Sequence, residues 1–223
     1  MSRFLDRRDA GQRLASRLKE EVGPDVLVIG LARGGVPVAY EVARRLRGPL
    51  DVLVVRKLGV PSQPELAMGA VGPGGMRVLS EEVLRPLRIP ADVVERVAAR
   101  ERLEVERRER LYRKGRPREE VRGRHVVVVD DGLATGASMR VALAWLRAAG
   151  ARKITVAVPA GSPETCEELG GEADELLCLT ASEWLFAIGQ FYDDFSPTSD
   201  DEVCHLLARA ARQRREAHAG ASR

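Results

Sequence analysis

The thirteen residues from Val126 to Ser138 read VVVVDDGLATGAS, which sets paired carboxylates beside a loop of small, hydrogen-bonding residues. Asp130 and Asp131 follow four valines, a continuous β-branched run of the kind found in a parallel strand covered on both faces. They therefore belong at the carboxyl end of that strand, where open α/β sheets bind ligands. The stretch that follows suits an anion. Gly136 permits close approach to the backbone, and Thr135 and Ser138 offer hydroxyls. A helix beginning near Ala137 aims unpaired N–H groups and the positive end of its dipole at the same place. Carboxylates repel a phosphate, so Asp130 and Asp131 are read as acceptors for ribose hydroxyls or as partners of a divalent cation. A sugar carrying a phosphate fits both halves. Two rival readings are a plain Asp-Asp-Gly turn and the metal-binding acidic strand end of a nucleoside triphosphatase. The second requires a G-x-x-x-x-G-K-[ST] loop, which this chain lacks.

The same segment resembles the phosphoribosyl-pyrophosphate (PRPP) motif of the type I phosphoribosyltransferases. There, four apolar residues, two acidic residues and a T-G-x-[ST] loop bind the ribose hydroxyls and the 5-phosphate. The resemblance implies that Asp130 and Asp131 hold the ribose hydroxyls and that Ala134, Thr135, Gly136, Ala137 and Ser138 hold the 5-phosphate. It also implies PRPP as a substrate, magnesium (Mg2+) as a cofactor, a small-molecule acceptor and a homodimer. Asp130 and Asp131 are the candidate metal partners.

Two upstream pieces agree with this motif. The run Asp25 to Gly30, DVLVIG, is a second buried-type strand, and Leu31-Ala32-Arg33-Gly34-Gly35 leads from it into a helix opened by Pro37. An arginine with two glycines at a helix start is either an anion-binding turn or an ordinary Gly-Gly turn. The next strand, Asp51 to Val55, ends in Arg56-Lys57, and only four of the 36 basic residues are lysines. Lys57 and Arg56 are either a solvated pair or anion ligands. In the resembled family the corresponding loops bind pyrophosphate, which makes Arg33, Gly34, Gly35, Arg56 and Lys57 the candidates. Arg33, Lys57, Asp130 and Asp131 are the expected catalytic set.

Acceptor identity is less legible. Five of the nine aromatic residues lie between Trp184 and Phe195. Trp184, Phe186, Gln190, Phe191 and Tyr192 are candidate acceptor contacts, although the rings serve equally to fasten this loop onto the sheet. Purine-using members of the resembled family carry an aspartate three residues after the acidic pair, whereas this chain has Ala134 and so lacks that base. A phosphoribosyltransferase acting on a nucleobase or related heterocycle is the leading expectation. The alternative is a non-catalytic PRPP-sensing regulator, with the basic stretch Arg113 to Arg118 as a candidate RNA contact.

The elements that must position these residues follow from periodicity. Strands alternating with helices, with the acidic motif midway, give an α/β fold: a doubly wound, mostly parallel, Rossmann-like sheet with a small variable hood and an inserted helical segment. The organisation expected is one domain over residues 1–223, with the insertion at about 58–120 and the hood and tail at about 180–223. Met139, Ala142, Leu143 and Leu146 line one face of the helix after the motif, and Ala39, Val42, Ala43 and Leu46 line one face of the earlier helix. Further strands are expected over Lys153–Pro159 and Asp174–Leu179, with Ser162-Pro163 as a helix start. A long helix from Glu95 to Arg118 carries Glu–Arg pairs at i, i+4 that read as a solvated face. The capping box Ser199 to Glu202 opens a tail helix that frays beyond Gln213.

Composition excludes little more. With 44% apolar residues in 223 the chain can bury a core, and a formal net charge of +3 leaves nucleic-acid binding open. The amino terminus has no signal-peptide core, and Cys166, Cys178 and Cys204 are widely spaced, which suits a cytoplasmic protein with reduced thiols.

Overall fold

The computed structural model describes residues 3–22 and 26–221. The chain opens with α1 (Arg7–Glu21), β1 (Val26–Ala32), α2 (Gly35–Leu46) and β2 (Leu50–Val54). An antiparallel unit follows: β3 (Arg56–Val60), β4 (Gln63–Val71), β5 (Arg77–Leu79), a short α3 (Glu81–Leu84) and the long α4 (Ala91–Arg113). The chain then returns through β6 (His125–Val129), α5 (Ala137–Ala148), β7 (Lys153–Gly161), α6 (Pro163–Glu172), β8 (Glu175–Ala181) and α7 (Asp200–Ala221).

Five strands form one parallel sheet in the order β2-β1-β6-β7-β8. Their β-branched runs are buried on both faces because the pleat sends alternate side chains to opposite layers. Leu27, Ile29, Val126 and Val128 join α5 and α6 through Met139, Leu143, Leu146 and Leu169. Val26, Val28, Val127 and Val129 face α1 and α2 through Leu14, Leu18, Val38 and Val42. Helices therefore cover both faces of the sheet, the doubly wound α/β arrangement expected from the sequence.

The stretch between Lys57 and His125 is a three-stranded antiparallel sheet, β3-β4-β5, packed with α4 and α7 around Leu58, Met68, Val97, Val105, Tyr112 and Val203. Several boundaries differ from expectation. The long helix runs Ala91–Arg113, because Pro90 precedes it and Lys114 turns left-handed (φ 46°) ahead of Gly115 and Pro117. Of its three glutamate–arginine pairs, Glu106 and Arg110 lie on an exposed face as expected, whereas Glu104–Arg108 and Glu109–Arg113 are partly enclosed. Arg113 reaches the buried Asp51 at 2.9 Å, and Arg108 and Arg113 are each only 14% exposed. Arg116 donates to the Leu207 carbonyl, and Arg118 bonds Glu109 and stacks over Trp145, so these three arginines of the basic stretch are engaged within the fold. The tail helix continues past Gln213 to Ala221. The first strand spans Val26–Ala32, and Asp25 lies outside the described residues. Among the described residues no helix is long and apolar enough to cross a membrane.

Candidate functional site

Parallel strands in register carry their carboxyl ends to one edge of the sheet. Gly30 of β1 lies opposite Val129 of β6, which puts the loop after β1 against the acidic pair after β6. A cavity of about 410 Å³ opens there, lined by Arg7, Arg33, Gly34, Lys57, the stretch from Asp130 to Met139, Ile188, Phe195, Pro197 and Thr198. The expected catalytic set is thus brought together from separate stretches of chain.

The Asp130 and Asp131 side chains are largely enclosed. The amide of Asp131 donates to Asp130 Oδ1 at 2.9 Å, and Arg7 Nε donates to Asp131 Oδ2 at 2.8 Å. Burial raises the Asp130 carboxyl well above the ordinary carboxylate range, and the neighbouring Asp131 charge adds to this. Burial also raises Asp131, opposed by the Arg7 guanidinium. The Tyr192 hydroxyl donates to the Asp131 carbonyl at 2.7 Å and holds the turn from below.

The loop after the pair is braced so that its carbonyls point away from the cavity. Leu133 O accepts from Ser162 N at 3.2 Å, Ala134 O from Thr165 Oγ1 at 2.8 Å, and Thr135 O from Arg140 at 3.0 Å. Leu133 itself is buried, its amide bonded to Ala160 O. Gly136 enters α5 in the left-handed region (φ 69°) and supplies no side-chain cap. The first N–H groups of α5 have no intrahelical acceptor, and with the carbonyls bonded elsewhere they form a donor-rich rim on the cavity.

Two glycines are required by close approach rather than by turn geometry. A Cβ on Gly35 would lie 2.6 Å from Val129 O and 2.8 Å from Asp130 Cα, and one on Gly34 would lie 2.0 Å from Asp131 Oδ2. They let the loop after β1 press against the acidic turn; Gly35 opens α2 and does not line the cavity. The Ala32–Arg33 peptide is cis. Arg33, Lys57 and Ser138 also line a second cavity of about 630 Å³ that reaches the β3–β4 hairpin and α4. Arg33 lies 3.7 Å from Asp200 at the start of α7. Arg56 lines only this second cavity and is held by Glu101 at 2.9 Å.

The expected acceptor residues are not on the cavity wall. Trp184 and Phe186 are 76% and 90% exposed. Gln190 fastens its own loop, donating to Trp184 O at 2.7 Å and accepting from the Phe186 and Ala187 amides. Phe191 and Tyr192 are buried with Phe4 in a small cluster behind the acidic turn. Ile188, Phe195, Pro197 and Thr198 occupy the wall instead. These four residues and Arg7 were missed by sequence reasoning. Arg7 is one arginine among many, and nothing in its local pattern marks a residue 124 positions from its partner. Phe195 belonged to the aromatic cluster already noticed, but burial and not residue type separates it from Phe191.

With oxygen donors only, the acidic pair matches a hard cation. Among the described residues, no group of three or more His, Cys, Asp or Glu side chains could hold a metal by itself. Two carboxylates with one oxygen already held by Arg7 suit magnesium, which commonly takes one or two protein carboxylates plus substrate phosphates and water.

A family model described as the phosphoribosyl transferase domain matches residues 3–196. Two proteins of Mycobacterium tuberculosis, each provisionally named a phosphoribosyl transferase, are 50% identical over 219 residues. These alignments cover 98% of this chain and 49% of theirs, so the chain spans about half the length of these curated relatives. Among solved structures, TT1426 from Thermus thermophilus has 47% sequence identity and a TM-score of 0.77, covering 93% of this chain and 98% of that one. AQ2163 from Aquifex aeolicus, at 11% identity and a TM-score of 0.50 over 79% of this chain and 74% of that one, shares the fold alone.

Proposed function

The chain belongs to the phosphoribosyl transferase domain family, and from that premise we propose that it moves the 5-phosphoribosyl group of PRPP to a nitrogen acceptor, a nucleobase or related heterocycle, with release of pyrophosphate. One observation carries the reading. Carbonyls 133–135 are all bonded away from the cavity, which leaves a rim of donors for a phosphate directly beside two carboxylates suited to a sugar's diol.

In this mechanism the amides of Ala134 to Ser138 and the Thr135 and Ser138 hydroxyls bind the 5-phosphate at the positive end of α5. Asp130 and Asp131 accept hydrogen bonds from the ribose hydroxyls and favour the positive charge that develops on the ring. The bond from C1 to the pyrophosphate oxygen breaks and its electron pair leaves with pyrophosphate, while the acceptor nitrogen forms the new bond to C1. Arg33 and Lys57, which reach this cavity and the next, neutralise the departing pyrophosphate. Gly34 and Gly35 let the loop approach the acidic turn, and Arg56 lines the second cavity while paired with Glu101. Magnesium, if bound, would be held by Asp130 and Asp131 and would supply charge neutralisation. Ile188, Phe195, Pro197 and Thr198 form the acceptor wall. Enclosure between this wall and the acidic turn limits access of water, the competing nucleophile.

The test is pyrophosphate release by the full chain with PRPP, Mg2+ and a panel of purine, pyrimidine and simple nitrogen acceptors. Release with one acceptor identifies the substrate. Tight PRPP binding without release in any mixture would refute transfer while keeping the ligand.

A further inference from the structure

Arg7 joins three parts of the site that are remote in sequence. Its Nε donates to Asp131 Oδ2 at 2.8 Å, its Nη1 donates to the Ser196 carbonyl at 2.7 Å, and its guanidinium carbon lies 3.9 Å from the centre of the Phe195 ring. The Arg7 and Asp131 side chains are only 12% and 17% exposed, so the pair is little weakened by solvent. The position of Arg7 is itself built. Asp6 caps α1 by accepting from the Asp9 amide at 2.7 Å, and the preceding residues are laced to the carboxyl-terminal segment. Phe4 N bonds Phe191 O, Asp193 N bonds Phe4 O, and Asp194 N bonds Leu5 O.

We propose that Arg7 is a positioning residue for phosphoribosyl transfer: it fixes one oxygen of Asp131 so that the other faces the ribose, and it holds Phe195 and Ser196 so that the acceptor wall stands against the acidic turn. The inference rests on the functional reading above and assigns a role within that site to the amino-terminal helix. A guanidinium suits the task because its planar fork reaches a carboxylate and a carbonyl together while its face lies on a ring. A lysine keeps the charge but loses the fork and the stacking. One oxygen of Asp131 is occupied by Arg7, so the ribose contact depends on the remaining one, and the direction of that oxygen is set by the ion pair.

The experiment is calorimetric titration of PRPP with Mg2+ into the full chain, for wild type, Arg7→Met, Arg7→Lys, Asp131→Asn and the Arg7→Met/Asp131→Asn double variant, each checked for folding by thermal unfolding. Loss of one charge-assisted contact to Asp131 predicts that Arg7→Met weakens PRPP binding at least about tenfold. Arg7→Lys recovers part of that loss. In the Asp131→Asn background, Arg7→Met changes affinity by less than about twofold, because the carboxylate charge through which it acts is gone. A purely scaffolding role lowers the unfolding temperature without this non-additivity. If Arg7→Met does not fold, the same cycle is run with Arg7→Lys. Wild-type affinity retained in Arg7→Met, or additive losses in the double variant, overturns the role of Arg7 alone. Absence of PRPP binding by wild type overturns both this inference and the functional reading beneath it.

Discussion

Substituting Gly35 by alanine separates close packing at the acidic turn from ordinary helix preference. Gly35 is the first residue of α2 and its φ is not in the left-handed region, so the backbone itself accepts a side chain. In an open helical position Gly→Ala stabilises by about 0.5–1 kcal/mol, through the reduced freedom of the unfolded chain. At Gly35 the new carbon would meet Val129 O at 2.6 Å and Asp130 Cα at 2.8 Å, both backbone atoms of the turn that carries the carboxylates. Relief requires the loop after β1 and the turn after β6 to move apart, and such overpacking typically costs about 1–3 kcal/mol. Gly170 in α6 is the control, since a Cβ there meets nothing within 4 Å. The two alanine variants should therefore differ by about 1.5–4 kcal/mol, with Gly35→Ala the less stable. For a chain of this length that is a gap of roughly 3–16 °C in unfolding temperature. Thermal and urea unfolding measure the gap, and PRPP titration reports whether Asp130 has been displaced. Equal stability of the two variants, with PRPP affinity unchanged in Gly35→Ala, would refute the claim that the two loops are in contact through this glycine.

Asp131→Asn should cut turnover by about a hundredfold, the scale of removing one preorganised electrostatic contact, with the fold retained in circular dichroism; wild-type turnover in this variant would sink the ribose-binding role. Arg113→Met leaves the buried Asp51 without its 2.9 Å partner, although the amides of Val52 and Glu119 still donate to it, and should cost about 3 kcal/mol in urea unfolding. A loss below about 1 kcal/mol would show that the amides alone satisfy Asp51. Glu104 is pulled down to about 2, first by its hydrogen bond from Arg107 and also by that from Arg108, against the opposing effect of burial. Its folded value lies below its unfolded one, so its contribution is full above the ordinary glutamate range and is lost as pH falls toward 2. Glu104→Gln should therefore cost about 1 kcal/mol at pH 7, discounted for a partly exposed pair, with the deficit shrinking between pH 4 and pH 2; a deficit independent of pH would refute the ion-pair origin.

The parallel sheet and its helices were legible because their signals are local. Val126–Val129 and Val26–Ile29 are runs of the kind that a doubly covered strand carries, and the apolar stripes of α2 and α5 fall at helical spacing. The helix start at Ser162-Pro163 was equally readable, since Ser162 accepts from the Thr165 amide as a cap should. The bounds of α4 lie several residues earlier than expected, although Pro90, Gly115 and Pro117 are local signals of them. What the arginines at its end pair with was not readable, since Arg113 and Arg116 find Asp51 and the Leu207 carbonyl across the fold.

The candidate site divides along the same line. Asp130, Asp131 and the loop from Ala134 to Ser138 are contiguous, so residue type and order alone determine that two carboxylates and a loop of small residues stand side by side at a strand end. Whether an aromatic ring lines the cavity or supports it from behind is decided by burial. Phe195 faces the cavity, while Phe191 and Tyr192, a few positions earlier in the chain, pack behind it with Phe4. Arg7 enters the site, and Arg56 is drawn to Glu101, through contacts that span 124 and 45 residues. Neighbouring residues along the chain are tied by covalent geometry, and the sequence records them directly. Which distant charge pairs with which depends on three-dimensional distance and desolvation, and these exist only once the chain has closed.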